Sequence, residues 1–194
     1  MSVRRVEPGP GQESVWDYPR TPRLEDCDKT IKVVCGGQII ATSNHSKRVL
    51  ETSHPPVYYL PREDVRLDFL VKCSKQTYCE WKGTACYLDI VFEASRIHSA
   101  AWTYPSPTPG FASLQNHLAF YPHLMDACFV NGERVFTQKG NFYGGWITSD
   151  IVGPFKGEPG SIGWRSNLAS WQHPILGISL WLCWGNALVP AECH

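Results

Sequence analysis

"IKVVCGGQIIA", residues 31–41, places two runs of aliphatic and β-branched residues on either side of Gly36-Gly37. Glycine enters the positive-φ region without steric cost, and both central residues of a type I′ turn need that region. The stretch therefore predicts a β-hairpin. The same reading extends outward. "ACFVNGERVF" (127–136) carries Asn131-Gly132 between apolar runs, and "QTYCEW" with "TACYLDIVFE" predicts a hairpin around Lys82-Gly83. "VYYL" reads as a strand and "PREDV" as a turn. "SAAWTYPSPTPG" reads as an extended proline-rich crossing that cannot pair centrally along its whole length. "FASLQNHLAFYP" reads as a helical turn running into a strand. "SNHSKRVLET" (43–52) is the exception. Ser43 or Asn44 as a cap predicts a short helix there, ended by His54-Pro55-Pro56 because residues before proline avoid the helical region. The class is mainly β, in small coiled antiparallel sheets with one or two short helices.

The chain has 194 residues, enough to bury roughly 70% of the surface its unfolded form exposes. Eighteen basic and 18 acidic residues cancel, which argues against a generic nucleic-acid or anionic-membrane binder. The first residues, "MSVRRVEPGPGQES", hold no apolar core of a signal peptide, so a cytoplasmic, reducing setting is expected for the eight cysteines. No cysteine pair has C-x-x-C spacing, and no metal site is expected. Eight Trp, eight Tyr and eight Phe suit either an aromatic core or an aromatic-lined cleft.

An internal echo runs through the chain. "VWDYPRTP" (15–22) returns as "AWTYPSPTP" (101–109), the Gly36-Gly37 hairpin as Asn131-Gly132, "YYLPREDV" (58–65) as "GGWITSDIV" (144–152), and "EWKG" (80–83) as "PFKG" (154–157). The expected organisation is a disordered stretch at 1–13, a complete module at 14–125, and a second half-module at 126–164 packed with the Trp16 segment. An atypical apolar tail follows at 165–194. Its run from Ile175 to Trp184 is about half the roughly 20 residues a membrane span needs.

Chemistry-bearing residues fall in three places. In "TYCEWKGTACY", strand alternation puts Cys79 and Trp81 on one face and Glu80 and Lys82 on the other. Either Glu80 and Lys82 form a weak surface ion pair, or Lys82 at the lip of the turn anchors an anion or carbonyl with Glu80 as acid or base. In "RVLETSHPPVYY", a helix ending at Ser53 would gather Arg48, Glu51 and His54 near its C-terminal end, where the helix dipole favours charged histidine. Tyr58 and Tyr59 would point to opposite faces, one of them able to line a cleft. His117 in "QNHLAFYP" is the third place. The sequence has no phosphate-binding Gly-Lys-Ser/Thr loop, no G-x-G-x-x-G, no G-x-S-x-G and no H-E-x-x-H.

Taken together, "VWDYPRTPRLE", "VLETSHPPVYYLPREDV", "CEWKGTACY", "AAWTYPSPTPGF", "HLAFYP" and "GGWITSDIVGPFKGEPGSIGW" resemble the domain-of-unknown-function family four-twenty-seven, over roughly residues 14–164. The resemblance implies a small β domain, of the β-tent kind or a partly open barrel. Tent-like relatives hold zinc through paired C-x-x-C motifs, which this chain lacks. The family's nucleotidyltransferase label implies a metal on paired acidic residues, yet no D-x-D occurs here.

The function expected from these residues is cofactor-independent proton transfer (isomerisation, cyclisation or hydrolysis) on a small molecule, a reaction that would suit tailoring in specialised metabolism. Lys82, His54 and Glu51 would act on the substrate. Arg48, Tyr59, Cys79, Glu80, Trp81, Trp102, Tyr104 and His117 would bind it. The alternatives are a non-enzymatic module binding a small ligand or a protein, and nucleotidyl transfer. The expected partner is a small-molecule ligand, with no nucleic acid, no membrane and no cofactor, and a homodimer left open.

Overall fold

The computed structural model describes residues 4–93, 95–139 and 143–158. The tail read at 165–194 and the last residues of the half-module lie outside them. In chain order the strands are β1 (Glu13–Ser14), β2 (Arg23–Cys27), β3 (Ile31–Cys35), β4 (Gln38–Ser43) and β5 (Ser46–Glu51). Next come β6 (His54–Pro61), β7 (Leu70–Cys79), β8 (Gly83–Phe92), β9 (Ser95–Thr103) and β10 (His117–Phe120). The last are β11 (Ala127–Val130), β12 (Glu133–Arg134), β13 (Phe136–Thr137), β14 (Trp146–Ile147) and β15 (Ile151–Val152).

Seven strands form one antiparallel sheet in the order β2-β5-β6-β10-β9-β8-β7, and four form a second in the order β12-β11-β3-β4. β1 pairs with β15 in parallel, and β13 pairs with β14. Among the described residues no sheet closes into a barrel.

Period-two alternation explains the layers. Tyr58 and Leu60 of β6, Leu88 and Ile90 of β8, and Leu118 and Phe120 of β10 point one way. They meet Ile31, Val33, Cys35 and Ile40 of the four-stranded sheet. Their neighbours Tyr59, Ala85, Tyr87, Ala119 and Tyr121 point the other way, into an aromatic layer with Trp102, Tyr104, Phe111 and Leu114. The central strands of the large sheet are thus buried on both faces, while the edge strand β7 is largely exposed. A third cluster joins Val15, Trp16 and Tyr18 to Leu50, Ile151 and Phe155, with the Trp16 indole N–H donating to Pro154 O at 2.8 Å. Near the start of the described chain, Val6 N–H donates to Gly153 O at 3.1 Å.

The hairpins stand where glycine predicts them. Gly36 and Gly37 have φ of +60° and +70°, and Asn131 and Gly132 have +49° and +82°. Gly36 faces a second constraint, since a Cβ there would lie 2.7 Å from the Phe92 ring, whereas one on Gly37 meets nothing within 4 Å. Both Gly36→Ala and Gly37→Ala should lose about 1–2 kcal/mol from the left-handed backbone. Gly36→Ala should lose measurably more, because Phe92 must also move. Urea unfolding of the two variants side by side checks this, and equal losses would contradict it.

The helix expected over 43–52 is not there. Ser43 Oγ does accept a hydrogen bond, from His45 N–H at 3.2 Å, but the bond closes a corner between β4 and β5. Residues 46–51 are a strand because Lys47 and Arg48 stand directly opposite Asp26 and Glu25 of β2 and pair with them, while Val49 and Leu50 are buried. An N-cap and a strand corner use the same side-chain-to-backbone bond, so local sequence alone could not separate them. The described helical segments are short 3-10 turns: Arg62–Asp64, Leu67–Phe69, Pro109–Leu114 and Pro122–Leu124. His54-Pro55-Pro56 opens β6 and ends no helix.

Candidate functional site

Lys82 lies in the loop between Cys79 and Gly83, the residues that close the β7–β8 ladder. Gly83 has φ +94° and sits close enough to Ser106 O that a Cβ would approach it to 3.3 Å. Thr108 straps the turn, its hydroxyl bonding Trp81 O and its N–H donating to Lys82 O at 3.2 Å. Because 80–82 form a turn, strand alternation stops there. Glu80 is exposed, Lys82 is partly buried beside Cys79, and the two make no ion pair. The alternative of a surface Glu80–Lys82 pair is thereby overturned. The Lys82 ammonium lies 5.9 Å from the Tyr104 ring and 6.0 Å from the Phe111 ring. Burial alone would weaken its hold on the proton, but Tyr59, Cys79 and Glu51 nearby more than offset this, and its pKa is raised. Lys82 is a cation at neutral pH.

Glu51 and His54 face each other across the β5–β6 turn, in which Ser53 has φ +70°. The turn is held from two sides. Ser53 N–H donates to Val15 O and Lys156 N–H donates to Ser53 O, both at 2.8 Å. The His54 ring packs on Tyr143 at 4.9 Å between centroids, and the Lys156 ammonium lies 5.5 Å from the same Tyr143 ring. Burial, then Lys156 and Lys82, push the His54 pKa down to about 3. The expectation of a charged histidine at a helix end is therefore reversed: no helix ends there, and the imidazole is neutral. Burial raises the Glu51 pKa. Lys82, Lys156 and Arg20 pull it down and Glu80 pushes it up, leaving a net rise.

His54 sets an acid limit on the fold. Its pKa falls from 6.5 in the unfolded chain to about 3 in the folded one, so its contribution to stability is intact above pH 6.5 and is lost as pH falls from 6.5 toward 3. The loss should reach roughly 2 kcal/mol by pH 5 at ~1.4 kcal/mol per pH unit. Urea unfolding at pH 7.5 and pH 5 should show this slope in the wild type and a flatter one in His54→Asn. Equal slopes would contradict the assignment.

The buried aromatic layer packs against the β7–β8 turn through Cys79 and Trp81. Trp102 Nε1–H donates to the Tyr59 hydroxyl at 3.3 Å, Tyr104 lies 6.3 Å from Tyr59, and Tyr121 packs on Trp102 at 4.5 Å. Burial raises the pKa of Tyr59 and of Tyr104, so both phenols are neutral. Gly144 covers Trp102 so closely that a Cβ would sit 2.4 Å from its ring. Trp102 is consequently core, not an open wall. Trp81 packs, partly buried, against the edge of the same layer.

Two expected site residues lie elsewhere. Arg48 is clasped by Glu25 at 2.6 Å and Glu13 at 3.0 Å, where it pins the N-terminal strand. His117 opens β10 with its ring nitrogen 3.0 Å from Gln115 O. The sequence reading missed Lys156 and Tyr143. Its one available signal was the match of "PFKG" to "EWKG", which sets Lys156 against Lys82. Two surface depressions of about 500 and 320 Å³ lie along the N-terminal segment, the smaller bordered by Arg48, and neither is lined by Lys82, Glu51 or His54.

Residues 23–131 match the model of a family described as a domain of unknown function (DUF427), and the chain belongs to that family. No curated protein matches it. Glu51, His54, Tyr59, Cys79, Lys82 and Tyr104 fall inside the matched span, and Tyr143 and Lys156 fall beyond it. The family model's short name denotes nucleotidyl transfer, which calls for a metal on clustered acids. Among the described residues no three His, Cys, Asp or Glu side chains gather to hold one. None of the described helices is long and apolar enough to cross a membrane.

Proposed function

We propose that this DUF427 member transfers protons within a small molecule, without a cofactor, at the cluster of Glu51, His54, Lys82 and Lys156. The observation that carries the reading is the β5–β6 turn itself: Glu51 and His54 are register partners, Lys156 N–H bonds Ser53 O between them at 2.8 Å, and the His54 ring and the Lys156 ammonium both lie on the Tyr143 ring, with burial raising the Glu51 pKa. A general base works best with its pKa close to the working pH, and burial moves Glu51 in that direction. In the proposed step Glu51 takes a proton from a carbon next to a carbonyl. The C–H electron pair moves into the new C=C bond, and the carbonyl π pair moves onto oxygen as an enolate. The Lys82 ammonium faces that oxygen. Return of the proton to another carbon isomerises the molecule. Attack of the enolate on an internal electrophile cyclises it. Neutral His54 can hydrogen-bond a substrate hydroxyl, as donor through its N–H or as acceptor through its other ring nitrogen.

The test is solvent exchange. The full chain is incubated in D₂O with acetylacetone and with pyruvate, and loss of their C–H signals is followed by proton NMR. Exchange above the buffer rate that disappears in Glu51→Gln supports the reading. Exchange equal in both proteins, or none with either compound, contradicts it. A second reading, a non-enzymatic binding module, draws on the position of the two surface depressions away from Glu51. It predicts saturable shifts of the compound's signals with no exchange.

A further inference from the structure

The smaller of the two surface depressions, about 320 Å³, lies between the N-terminal segment and the edge strand β2. Two residues that line it are buried, Ser14 at 4% and Tyr18 at 6% exposure. Alternation along β2 puts Arg23 and Glu25 on one face, and Arg48 of β5 stands directly opposite Glu25. Glu25 holds both guanidinium groups by their Nε–H, Arg48 at 2.6 Å and Arg23 at 3.2 Å. Glu13 accepts from Arg48 Nη1 at 3.0 and 3.2 Å and from the Tyr18 hydroxyl at 2.8 Å.

These bonds spend Glu13, Glu25 and the Tyr18 hydroxyl inside the network. Two charged groups on the same depression are left over. Arg23 is held through Nε alone, so its two terminal nitrogens have no hydrogen-bond acceptor among the described residues. The Asp17 carboxylate accepts no hydrogen bond from them either. Its ion pair with Arg5 is 3.6 Å long with both side chains more than half exposed, a geometry that contributes little. The backbone fixes where the two stand. Asp17 N–H closes a turn on Ser14 O at 3.0 Å, behind a strand that Glu13 N–H ties to Asp150 O at 2.7 Å. Arg23 opens β2 opposite Leu50.

We propose that this depression binds a small zwitterion of the free amino-acid class, with its carboxylate on the Arg23 guanidinium and its ammonium on the Asp17 carboxylate. The site is separate from the proton-transfer cluster and uses none of its residues. A free guanidinium fork receives a planar carboxylate through two parallel N–H bonds. Charge decides against the simpler ligands. Three carboxylates border the depression, Glu13, Asp17 and Glu25, and they disfavour a phosphate or any other purely anionic ligand. Arg23 and Arg48 border it as well, and they disfavour a simple amine. A ligand carrying both charges answers both. The volume stands at the lower end of the range for small-molecule sites.

Three compounds of nearly one shape separate the charges. L-Alanine carries both, L-lactate only the carboxylate, and L-alaninol only the ammonium. Amide chemical shifts of the full chain would be followed during titration with each compound. The proteins would be wild type, Asp17→Asn and Arg23→Gln, with folding checked by circular dichroism. Both altered side chains are more than half exposed, so neither substitution touches the core. The expected result is a saturable L-alanine shift at Ser14, Asp17 and Tyr18 in the wild type. Affinity should fall by about tenfold or more in each variant, and by a similar factor when L-lactate or L-alaninol replaces L-alanine. No saturable shift with L-alanine would mean that both groups are merely solvated, and the proposal falls. Equally tight binding of either singly charged compound, or unchanged affinity in folded Asp17→Asn or Arg23→Gln, would also overturn it.

Discussion

Trp146→Ala is expected to remove about 3–5 kcal/mol of stability, the range for deleting a fully buried large aromatic side chain. Trp146 is 0% exposed, packs 5.3 Å from the Tyr58 ring and donates its indole N–H to Phe120 O at 3.4 Å. Truncation would open a cavity against β6 and β10 and remove the indole donor to Phe120 O, and the two costs act together. The position matters because Trp146 lies beyond residues 23–131, the span that matches the family model. Its partners Tyr58 and Phe120, and Leu60 and Leu118 of the same core cluster, all lie within that span. Residues 143–158 therefore complete the core that the matched residues begin. Urea unfolding measures the effect, and a loss under about 1 kcal/mol would show that the segment is peripheral.

Lys82→Met is expected to leave the fold intact and to cut exchange at the proposed site by about 10²–10³, the usual consequence of removing one preorganised charge that faces a developing oxyanion. Methionine keeps most of the length and apolar stem of lysine, so the contacts with Tyr104 and Phe111 persist while the charge goes. The effect should fall on kcat more than on KM if Lys82 acts on the enolate oxygen. A rise in KM with kcat unchanged would instead make Lys82 a ground-state anchor. Unchanged exchange would remove Lys82 from the mechanism.

The hairpins were legible in the sequence because their cause is local. Gly36-Gly37, Asn131-Gly132 and Gly83 announce positive φ, and the structure has positive φ at each. The strand at 46–51 was not legible. Its polar and apolar residues also fit a short helix, and what settles it is the pairing of Lys47 and Arg48 with Asp26 and Glu25, over 20 positions earlier in the chain. That error carried into the site, because a helix would have gathered Arg48 with Glu51 and His54, whereas the strand sends Arg48 to the N-terminal segment. The inward turn of Lys82 was half legible. The glycine marked the turn, but the strap from Thr108 that fixes its direction comes from the proline-rich crossing. Lys156 reaches Glu51 and His54 across about a hundred residues of chain. No local pattern encodes such a contact, and only the echo of "EWKG" in "PFKG" pointed to it.

The proposed proton transfer requires Glu51, Lys82 and Lys156 to act as one electrostatic unit. Carbon-13 NMR titration of the Glu51 carboxyl, in wild type and in Lys82→Met, tests it most directly. The expected result is a wild-type midpoint above the ordinary glutamate value and a further rise when the Lys82 ammonium is removed. A midpoint at or below the ordinary value, unmoved by Lys82→Met, would mean that Glu51 is a solvated carboxylate at a hairpin end and that the cluster is not a site.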